Sequence, residues 1–412
     1  MVWIHGGSFL FASSAGTQPD PLMEEAVVVV NIQYRLNVFG FLTTGDNYAK
    51  GNMGLKDQSA ALIWIKHNIH NFGGDPRKVT IFGGSAGGAS VQFHMLSPRS
   101  AAISQSGVTL GTWVFQTKSE EKLQQLTEAL GFDRTDSETL VRKLQGVPAD
   151  ILLRTAFNQS ITVFLPFIPT IEHESSTAFL SERAFELIKE GRITTVPYML
   201  GQVNEEGSFP YGYIDSGAIE INDFSKKPEI FIPISMNIPK GDRCINQTIN
   251  AIQQFFFNNG SFTDKSNWIK MMGQDVRGIQ KSADLICAIY PNFPIYFYEY
   301  VFVGTNRGAG HYSEVLKLFY PAKEGWSTAL TAADRLVQRR LVKIWTNFAR
   351  NGDPTPQRDD LLQNVALPTF CNGKSYVEIG NNLIVKHYPS RDVYQFWEDN
   401  FKKCGFPPFN TY

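Results

Sequence analysis

Residues 78–88 read KVTIFGGSAGG and join a strand to a helix through a turn rich in glycine. The apolar run at 78–82 predicts the strand, and residues 88–96 predict the helix. The turn between them, GGSAG at 83–87, matches the pattern G-x-S-x-G. In this setting the pattern indicates a nucleophile elbow, a strained strand-to-helix turn that projects its serine hydroxyl outward. We predict that Ser85 is a nucleophile; the alternative is a glycine-rich turn with an incidental serine.

Strands and helices alternate on both sides of this turn. Strands are also predicted at residues 1–4, 26–34, 101–105, 195–201 and 294–302, and helices at residues 57–72, 119–130, 136–144 and 334–350. Asp57 is a candidate N-cap. We expect a mostly helical inserted cap at 210–292, and loops with a short helix near Phe396 toward the C-terminus. The alternation predicts one α/β domain over residues 1–412 with a mainly parallel sheet and helices on both faces. Together with the elbow at Ser85, it makes an α/β-hydrolase fold the expected one.

A serine nucleophile needs a base, and the base needs an orienting acid. In the α/β-hydrolase fold these groups follow in the order nucleophile, acid, histidine. Glu205 and Glu206 follow the strand predicted at 195–201, and His311 follows the strand predicted at 294–302. The carboxyl ends of parallel strands present their side chains to a common crevice. We therefore predict His311 as the base and one of the two glutamates as the acid.

The sequence HGGS at residues 5–8 follows the first predicted strand. In α/β hydrolases a turn at this position presents backbone N–H groups at the mouth of the pocket. We predict that Gly7, Ser8 and Ala86 donate backbone N–H groups to the oxyanion that forms during acyl transfer. This chemistry needs no metal or organic cofactor, and the expected partner is a small-molecule ester.

The other histidines fit the role of base less well. His67 and His70 share one helix face and could hold a metal ion, but no third ligand is near them in sequence. His94 lies on the helix after the elbow, where packing in the core or exposure is expected. His173 precedes the candidate acid, and His387 lies far toward the C-terminus in a polar segment. His311 is therefore preferred.

The composition excludes some classes of partner. The chain has 412 residues, of which 43% are hydrophobic and 19% charged, and its formal net charge is −1. A charge so close to zero gives no general attraction to nucleic acids or to an anionic membrane. No apolar run reaches the roughly 18 residues that a membrane span needs.

Cysteines and glycosylation sequons bear on the cellular compartment. The cysteines are Cys244, Cys287, Cys371 and Cys404. Their spacing is not that of a zinc site, so buried thiols are expected, or one disulfide whose pairing the sequence leaves open. The Asn-x-Ser/Thr sequons begin at Asn158, Asn246 and Asn259. Together the sequons favour a secreted glycoprotein or a protein of the secretory lumen.

The first residues, MVWIH, form an apolar strand that runs directly into the oxyanion turn. A buried strand needs neighbours, and we expect some of them to come from an upstream segment that this chain lacks. On this expectation residues 1–412 are a fragment that does not form a stable, active enzyme alone. A signal peptide is not visible in the chain.

The sequence also resembles the type-B carboxylesterase and cholinesterase family over nearly its whole length. The matching segments are GNMGLKDQSAALIWIKHNIHNFGGDPRKVTIFGGSAGGASV (51–91), AISQSG (102–107), NEEGSF (204–209), GAGHYSE (308–314) and WTNFARNGDP (345–354). The resemblance implies serine-dependent hydrolysis of carboxylic esters, with Glu206 rather than Glu205 as the acid. It further implies that Ser106 is a hydroxyl near the acid, and that Trp113 and Phe209 line the substrate pocket. For both aromatic residues a place in the core is the alternative.

The sequence departs from the family pattern at several positions. The family usually has glutamate where this chain has Gly84, and often glycine where it has Ser8. Residues 97–100 run into Ala101 without a short Leu-Phe segment. The alternative functions are a non-catalytic binding or adhesion protein, or an inactive fragment. Such binding proteins typically lose the nucleophile or its partners, so the presence of all three favours the enzyme.

Overall fold

Parallel pairing of strands far apart in sequence builds the central sheet. The computed structural model describes residues 1–96, 101–116, 118–133, 135–160, 167–209, 212, 228–260, 265–273, 275–304, 309–321 and 330–407. The strands are β1 (Val2–Ile4), β2 (Thr17–Gln18), β3 (Val30–Ile32), β4 (Thr80–Gly84), β5 (Ala101–Gln105), β6 (Tyr198–Val203), β7 (Ile295–Tyr300), β8 (Tyr320–Pro321), β9 (Ser375–Ile379) and β10 (Leu383–His387). Eight strands in this part of the chain form one sheet in the order β10-β9-β7-β6-β5-β4-β1-β3, and β2 pairs with β8 separately.

Helices surround this sheet. They are α1 (Asp20–Met23), α2 (Asn37–Phe41), α3 (Met53–Asn68), α4 (Ala86–Met95), α5 (Ser119–Ala129), α6 (Ser137–Gln145), α7 (Ala149–Ser160), α8 (Ala184–Lys189), α9 (Arg243–Phe257), α10 (Lys265–Met272), α11 (Asp275–Ile289), α12 (Val315–Leu318), α13 (Ala332–Asn351) and α14 (Arg391–Cys404). Within the sheet only β9 and β10 pair antiparallel. The predicted α/β-hydrolase fold with a mostly parallel sheet is confirmed.

Strand β1 lies inside the sheet rather than at its edge. It pairs parallel with β3 on one side and with β4 on the other, so that Val2 faces both Val30 and Ile81. The expectation that its neighbours on one side come from a segment outside the chain is therefore wrong. The sequence could not show this, because the pairing of β1 with β3 joins residues about thirty positions apart, and strand pairing has no local sequence signal. Whether residues 1–412 are stable and active alone stays a prediction.

Apolar side chains cover both faces of the sheet. Val2 and Ile4 belong to one buried cluster, and Trp3 between them belongs to another. Successive strand residues point to opposite faces, so these clusters lie on opposite sides of the sheet. The Trp3 ring is fully buried, with ring centroids 5.0 Å from Phe82 and 4.6 Å from Phe319. Among the described helices, none has the length and apolarity needed to cross a membrane.

Some predicted boundaries shift. The helix predicted at 57–72 begins at Met53, and Asp57 is not its N-cap. Asp57 lies in the second turn of α3 and accepts hydrogen bonds from the Arg35 guanidinium. Asp57 thus takes part in a contact with a residue distant in sequence and does not cap the helix. The apolar run predicted as a strand at 26–34 contributes only Val30–Ile32 to the sheet.

The C-terminal region has more regular structure than the sequence predicts. In place of loops with a short helix, β9 and β10 form a hairpin, and α14 extends over 14 residues. The expectation of loops was wrong because β10 is an edge strand whose exposed side chains include Ile384, Val385 and His387. Such a strand lacks the clean alternation of polar and apolar residues that marks a strand in sequence.

The predicted cap at 210–292 is mostly helical where it is described, in α9, α10 and α11. Residues 210–211, 213–227, 261–264 and 274 lie outside the described part. Helices α9, α10 and α14 enclose a third apolar cluster in which Trp268 and Trp397 are fully buried. Helix α11 instead packs on the sheet through Ile279 and Ile286. The cap and the C-terminal helix therefore share a core of their own.

All four cysteines are paired. Cys244 at the start of α9 bonds to Cys404 at the end of α14, and Cys287 in α11 bonds to Cys371 before β9. The expectation of buried thiols, or of one disulfide, is therefore wrong. The bonds join segments 160 and 84 residues apart, and sequence spacing gives no information about such distant pairs.

Replacing Cys244 and Cys404 together by Ala should lower the free energy of unfolding by about 2–5 kcal/mol, because the disulfide restricts a long loop of the unfolded chain. Urea denaturation followed by tryptophan fluorescence measures this free energy. A thiol reductant should lower the urea concentration at the unfolding midpoint more for the native protein than for the variant, because the variant already lacks one disulfide. An unchanged midpoint in the double variant would contradict the stabilising role.

Candidate active site

Ser85 occupies the turn between β4 and α4, as predicted. Its backbone angles, φ 57° and ψ −122°, are strained for a residue with a side chain. The backbone N–H of Ser85 donates to the carbonyl oxygen of Gln105 at 2.7 Å, and its own carbonyl accepts from Ala89 at 3.0 Å. These bonds fix the serine at the N-terminus of α4, with 7% of its surface exposed.

The glycines around Ser85 are required by close backbone approach. A Cβ atom at Gly87 would lie 2.0 Å from the carbonyl oxygen of Ile4, and one at Gly107 would lie 2.0 Å from that of Ser85. At Gly84 a Cβ atom would lie 2.6 Å from Cε2 of Tyr312. The Tyr312 ring thus fills the space that the glutamate of the family pattern would need at position 84.

Glu206 and His311 meet through a short hydrogen bond. Oε2 of Glu206 lies 2.5 Å from Nδ1 of His311. Oε1 of Glu206 accepts from the backbone N–H of Val203 at 2.9 Å, so both carboxylate oxygens are held. Both side chains are largely buried, with 1% of the Glu206 side chain and 9% of the His311 side chain exposed. The arrangement fixes the orientation of the imidazole ring.

Backbone contacts tie the glutamate turn to the histidine loop. The N–H of Glu205 donates to the carbonyl oxygen of Ala309 at 3.2 Å. The N–H of His311 donates to Oγ of Ser208 at 2.8 Å. Both loops follow neighbouring strands, β6 and β7, which are paired parallel. Residues separated by about a hundred positions are therefore brought together by the sheet.

The turn after β1 lies against the elbow. A Cβ atom at Gly6 would lie 3.1 Å from Cβ of Ser85. Gly7 has φ 105°, and a Cβ atom there would lie 2.1 Å from the carbonyl oxygen of Phe11, so only glycine fits. Ser8 also has a positive φ, 56°, where the family often has glycine. Gly6 thus brings the turn that carries Gly7 and Ser8 close to Ser85, and Ala86 is the first residue of α4.

Hydrogen bonds to carbonyl oxygens orient this turn. The imidazole Nδ1 of His5 lies 2.8 Å from the carbonyl oxygen of Gly6 and must be the donor, because that oxygen can only accept. The carbonyl oxygen of Gly7 accepts from Leu10 at 2.9 Å and from Phe11 at 3.1 Å. In a planar trans peptide the N–H points opposite to the C=O. The N–H groups of Gly7 and Ser8 are thereby fixed in direction.

Ser106 is bonded to a buried carboxyl group that the sequence analysis did not single out. Its Oγ donates to Oε1 of Glu314 at 3.5 Å, and the hydroxyl of Tyr298 donates to the same oxygen at 3.3 Å. Burial, and then the charge of Glu206, raise the pKa of Glu314 to about 7. The sequence offered one signal for Glu314. It is an acidic residue three positions after His311, at the end of the segment GAGHYSE and directly before the apolar start of a helix.

The two predicted pocket residues lie near the site. The Phe209 ring centroid is 5.5 Å from that of His311, and 41% of this residue is exposed. The Trp113 ring centroid is 6.3 Å from that of Phe9, which follows the oxyanion turn. Phe209 is therefore placed to contact a ligand at His311, whereas Trp113 packs partly against the core.

The remaining histidines lie apart from this arrangement. His94 is buried in α4, where burial lowers its pKa to about 4 and its Nε2 lies 3.0 Å from Oε1 of Gln58. His67, His70 and His387 are exposed. No group of three or more His, Cys, Asp or Glu side chains among the described residues is arranged to hold a metal ion.

Comparison with known proteins places this chain in a family. A model described as "Carboxylesterase family" matches residues 1–397. Venom carboxylesterase-6 of Apis mellifera is 32% identical over an alignment 428 positions long, gaps included, that covers 94% of this chain and 75% of that protein. The cocaine esterase of Oryctolagus cuniculus is 32% identical over an alignment 425 positions long that covers 96% of this chain and 74% of that protein.

The fold of a solved structure agrees with these matches. Juvenile hormone esterase from Manduca sexta, with OTFP covalently attached, superposes with a TM-score of 0.85 at 24% identity, covering 97% of this chain and 80% of that one. That likeness supports the α/β-hydrolase fold. The family match and the two relatives together show that the chain belongs to the carboxylesterase family and is a carboxylic ester hydrolase.

Proposed function

We propose that the chain hydrolyses small-molecule carboxylic esters through a Ser85–His311–Glu206 triad. The observation that carries the proposal is the 2.5 Å contact between Glu206 and His311 on two loops that follow adjacent strands. A carboxylate that accepts the Nδ1–H of a neutral imidazole makes Nε2 the nitrogen that accepts a proton. The strained elbow supports the proposal, because strain of this kind exposes a nucleophilic hydroxyl.

In the first half-reaction, His311 accepts the hydroxyl proton of Ser85 as its oxygen attacks the ester carbonyl carbon. Glu206 holds the imidazole in the correct tautomer and stabilises the imidazolium that forms. When the tetrahedral intermediate collapses, the imidazolium gives its proton to the departing alcohol. In the second half-reaction His311 removes a proton from water as the water oxygen attacks the acyl carbon on Ser85. When this intermediate collapses, the bond from the acyl carbon to Oγ of Ser85 breaks, the imidazolium returns its proton to Oγ, and the acid leaves.

Backbone N–H groups of Gly7, Ser8 and Ala86 stabilise the oxyanion in this proposal. The fixed directions of the first two support it, since donors that need no reorganisation stabilise developing charge most effectively. Ala86 lies in the first turn of α4, where N–H groups have no partner within the helix. Removing one such donor typically raises the barrier by about 3–4 kcal/mol.

Glu314 acts on Glu206 through its own protonation state. Two carboxylates close together in a buried site cannot both ionise easily. With its pKa raised to about 7, Glu314 is protonated at acidic pH and partly protonated at neutral pH, so it places less negative charge beside Glu206 than an ordinary glutamate would. Ser106 and Tyr298, which donate to Glu314, are positioning residues in this scheme.

The proposal also covers the substrate pocket and the cellular compartment. Phe209 lines the substrate pocket beside His311, and Trp113 lines it beside the oxyanion turn. The two disulfides support a secreted or lumenal location, because such bonds persist in oxidising compartments. Asn246 and Asn259 are exposed, as glycan acceptors must be, and the Asn158 side chain lies outside the described residues.

Ser85→Ala should reduce ester turnover by about a millionfold, because the acyl-enzyme can no longer form. Release of nitrophenol from a nitrophenyl ester measures the turnover. Ser176→Ala, at an exposed serine, is the matched control and should retain full activity. A loss of less than about tenfold in Ser85→Ala would show that another residue is the nucleophile, and an inactive native chain would favour a binding protein or an inactive fragment.

Glu206→Gln should reduce kcat by roughly four orders of magnitude, because an amide favours the wrong tautomer of His311. Glu205→Gln is the matched control: the same chemical change one residue earlier should cost far less. The same nitrophenyl ester assay compares the two variants. Equal losses, or a larger loss in Glu205→Gln, would show that Glu206 is not the orienting acid.

Glu314→Gln should change how stability depends on pH. The carboxyl group titrates near 4.5 when unfolded and near 7 when folded, so the folded chain holds an extra proton between these values. The free energy of unfolding of the native protein should therefore fall by about 3 kcal/mol, relative to the variant, as the pH rises through this range. Urea denaturation of both proteins at pH 4.5 and 7.5 measures the difference. If the difference in free energy of unfolding between the native protein and the variant is the same at both pH values, the pKa of Glu314 is not raised by burial.

A further inference from the structure

A buried hydroxyl group is bonded to the first carbonyl group of α4. Oγ of Ser90 donates to the carbonyl oxygen of Ala86 at 2.9 Å, and Ser90 has no exposed surface. Ala86 directly follows Ser85 and is the first residue of α4. A serine that bonds back to the carbonyl four residues earlier slightly destabilises a helix and often bends it. The bond therefore acts on the orientation of the first turn rather than on the stability of the helix.

A glutamine of α3 reaches the same hydroxyl group. Nε2 of Gln58 donates to Oγ of Ser90 at 3.1 Å, and Oε1 of the same amide lies 3.0 Å from Nε2 of His94. Gln58 has no exposed surface, and His94 is 4% exposed. The amide of Gln58 thus bridges two successive turns of α4, and a continuous buried chain of hydrogen bonds runs from His94 to Ala86.

The direction of donation along this chain is determined by its end. The carbonyl oxygen of Ala86 can only accept, and Ser90 has one hydroxyl proton. If that proton pointed to Gln58 instead, two acceptor oxygens would face each other at 2.9 Å. Oγ of Ser90 therefore accepts from the amide nitrogen of Gln58, whose oxygen accepts from Nε2 of His94. Burial lowers the pKa of His94 to about 4, so its neutral imidazole carries its single proton on Nε2 at pH 7.

The second half of α4 is held by a separate set of bonds. Oε1 of Gln92 accepts from the backbone N–H of Thr109 at 2.8 Å and from its hydroxyl at 2.6 Å. Nε2 of Gln92 donates to the hydroxyl of Ser282. These bonds join α4 to the loop after β5 and to α11. Loss of the bond at Ser90 should therefore affect the first turn and leave the rest of the helix in place.

We propose that Ser90 and Gln58 are positioning residues that hold the first turn of α4 and so aim the backbone N–H of Ala86 at the oxyanion. This rests on the proposed function, because that N–H acts on the oxyanion of an ester. The strained angles of Ser85 cost on the order of 1–3 kcal/mol and persist only where surrounding contacts determine them. A first turn that relaxed would relieve this strain and displace the adjacent N–H. A displacement of about 1 Å at a reacting group can cost a hundredfold in rate.

The test compares Ser90→Ala, Gln58→Met and the double variant. Methionine keeps the length of the glutamine side chain and removes its amide. Ser59→Ala is the matched control, because the hydroxyl of Ser59 also donates to the carbonyl oxygen four residues earlier, that of Leu55 at 3.2 Å, on α3. For each protein, kcat and KM are measured with a nitrophenyl ester, together with the inhibition constant of a trifluoromethyl ketone. Hydrogen exchange of residues 83–90 and 91–96 is followed by mass spectrometry.

Ser90→Ala should lose about tenfold in kcat, the effect of one ordinary hydrogen bond, with KM unchanged within about twofold. The ketone, whose adduct carries an oxyanion, should lose affinity in parallel with kcat. Gln58→Met should lose less, and the double variant no more than Ser90→Ala alone, because Gln58 reaches Ala86 only through Ser90. Exchange should accelerate in residues 83–90 more than in residues 91–96 of Ser90→Ala, and in neither segment of Ser59→Ala.

Equal kcat values in Ser90→Ala and Ser59→Ala would overturn the proposal, as would a loss that appears only in KM. A double variant whose loss in kcat equals the product of the single losses would also overturn it, because the two residues would then act independently. If the native chain hydrolyses no ester, the proposed function fails, and the exchange measurement decides about the first turn alone. In that case unchanged exchange of residues 83–90 in Ser90→Ala overturns the proposal, and accelerated exchange confined to these residues supports it.

Discussion

The close approach of α4 to β1 at Gly87 is the constraint on which the rest of the site depends. With no side chain at this position, the start of α4 lies against the carbonyl oxygen of Ile4. That contact brings the turn after β1 next to the turn after β4, so the proposed oxyanion donors and the proposed nucleophile lie at the ends of two adjacent strands. Any larger residue at position 87 would push the start of α4 away from β1 and so move Ser85 away from the turn after β1.

The acid and base reach the same place through the next part of the sheet. Strands β5, β6 and β7 continue the parallel order beyond β4, and the loops after β6 and β7 carry Glu206 and His311. A second carboxyl group, that of Glu314, lies buried in the same environment. Glu314 has no exposed surface and two hydroxyl donors, whereas Glu206 has a backbone donor and the imidazole. Burial is the main cause of the raised pKa of Glu314, and the charge of Glu206 adds to it.

Much of this could be predicted from the sequence, because the relevant signals are local. The elbow at Ser85 is a five-residue pattern between a strand and a helix, and chain order was enough to propose His311, among the histidines, as the base. The choice of Glu206 over Glu205 needed the family resemblance, since both follow the same strand. What could not be predicted depends on contacts between distant residues. The two neighbours of β1, the pairing of Cys244 with Cys404, and the buried state of Glu314 are set by packing that no local pattern records.

The central claim is that Ser85 is an activated nucleophile. The most direct measurement is to treat the native chain with a fluorophosphonate, digest it, and locate the adduct by mass spectrometry. The account predicts one stoichiometric adduct on the peptide that contains Ser85, and none after denaturation, because activation depends on His311 and on the oxyanion turn. An adduct on a different serine, or none on the folded chain, would contradict it.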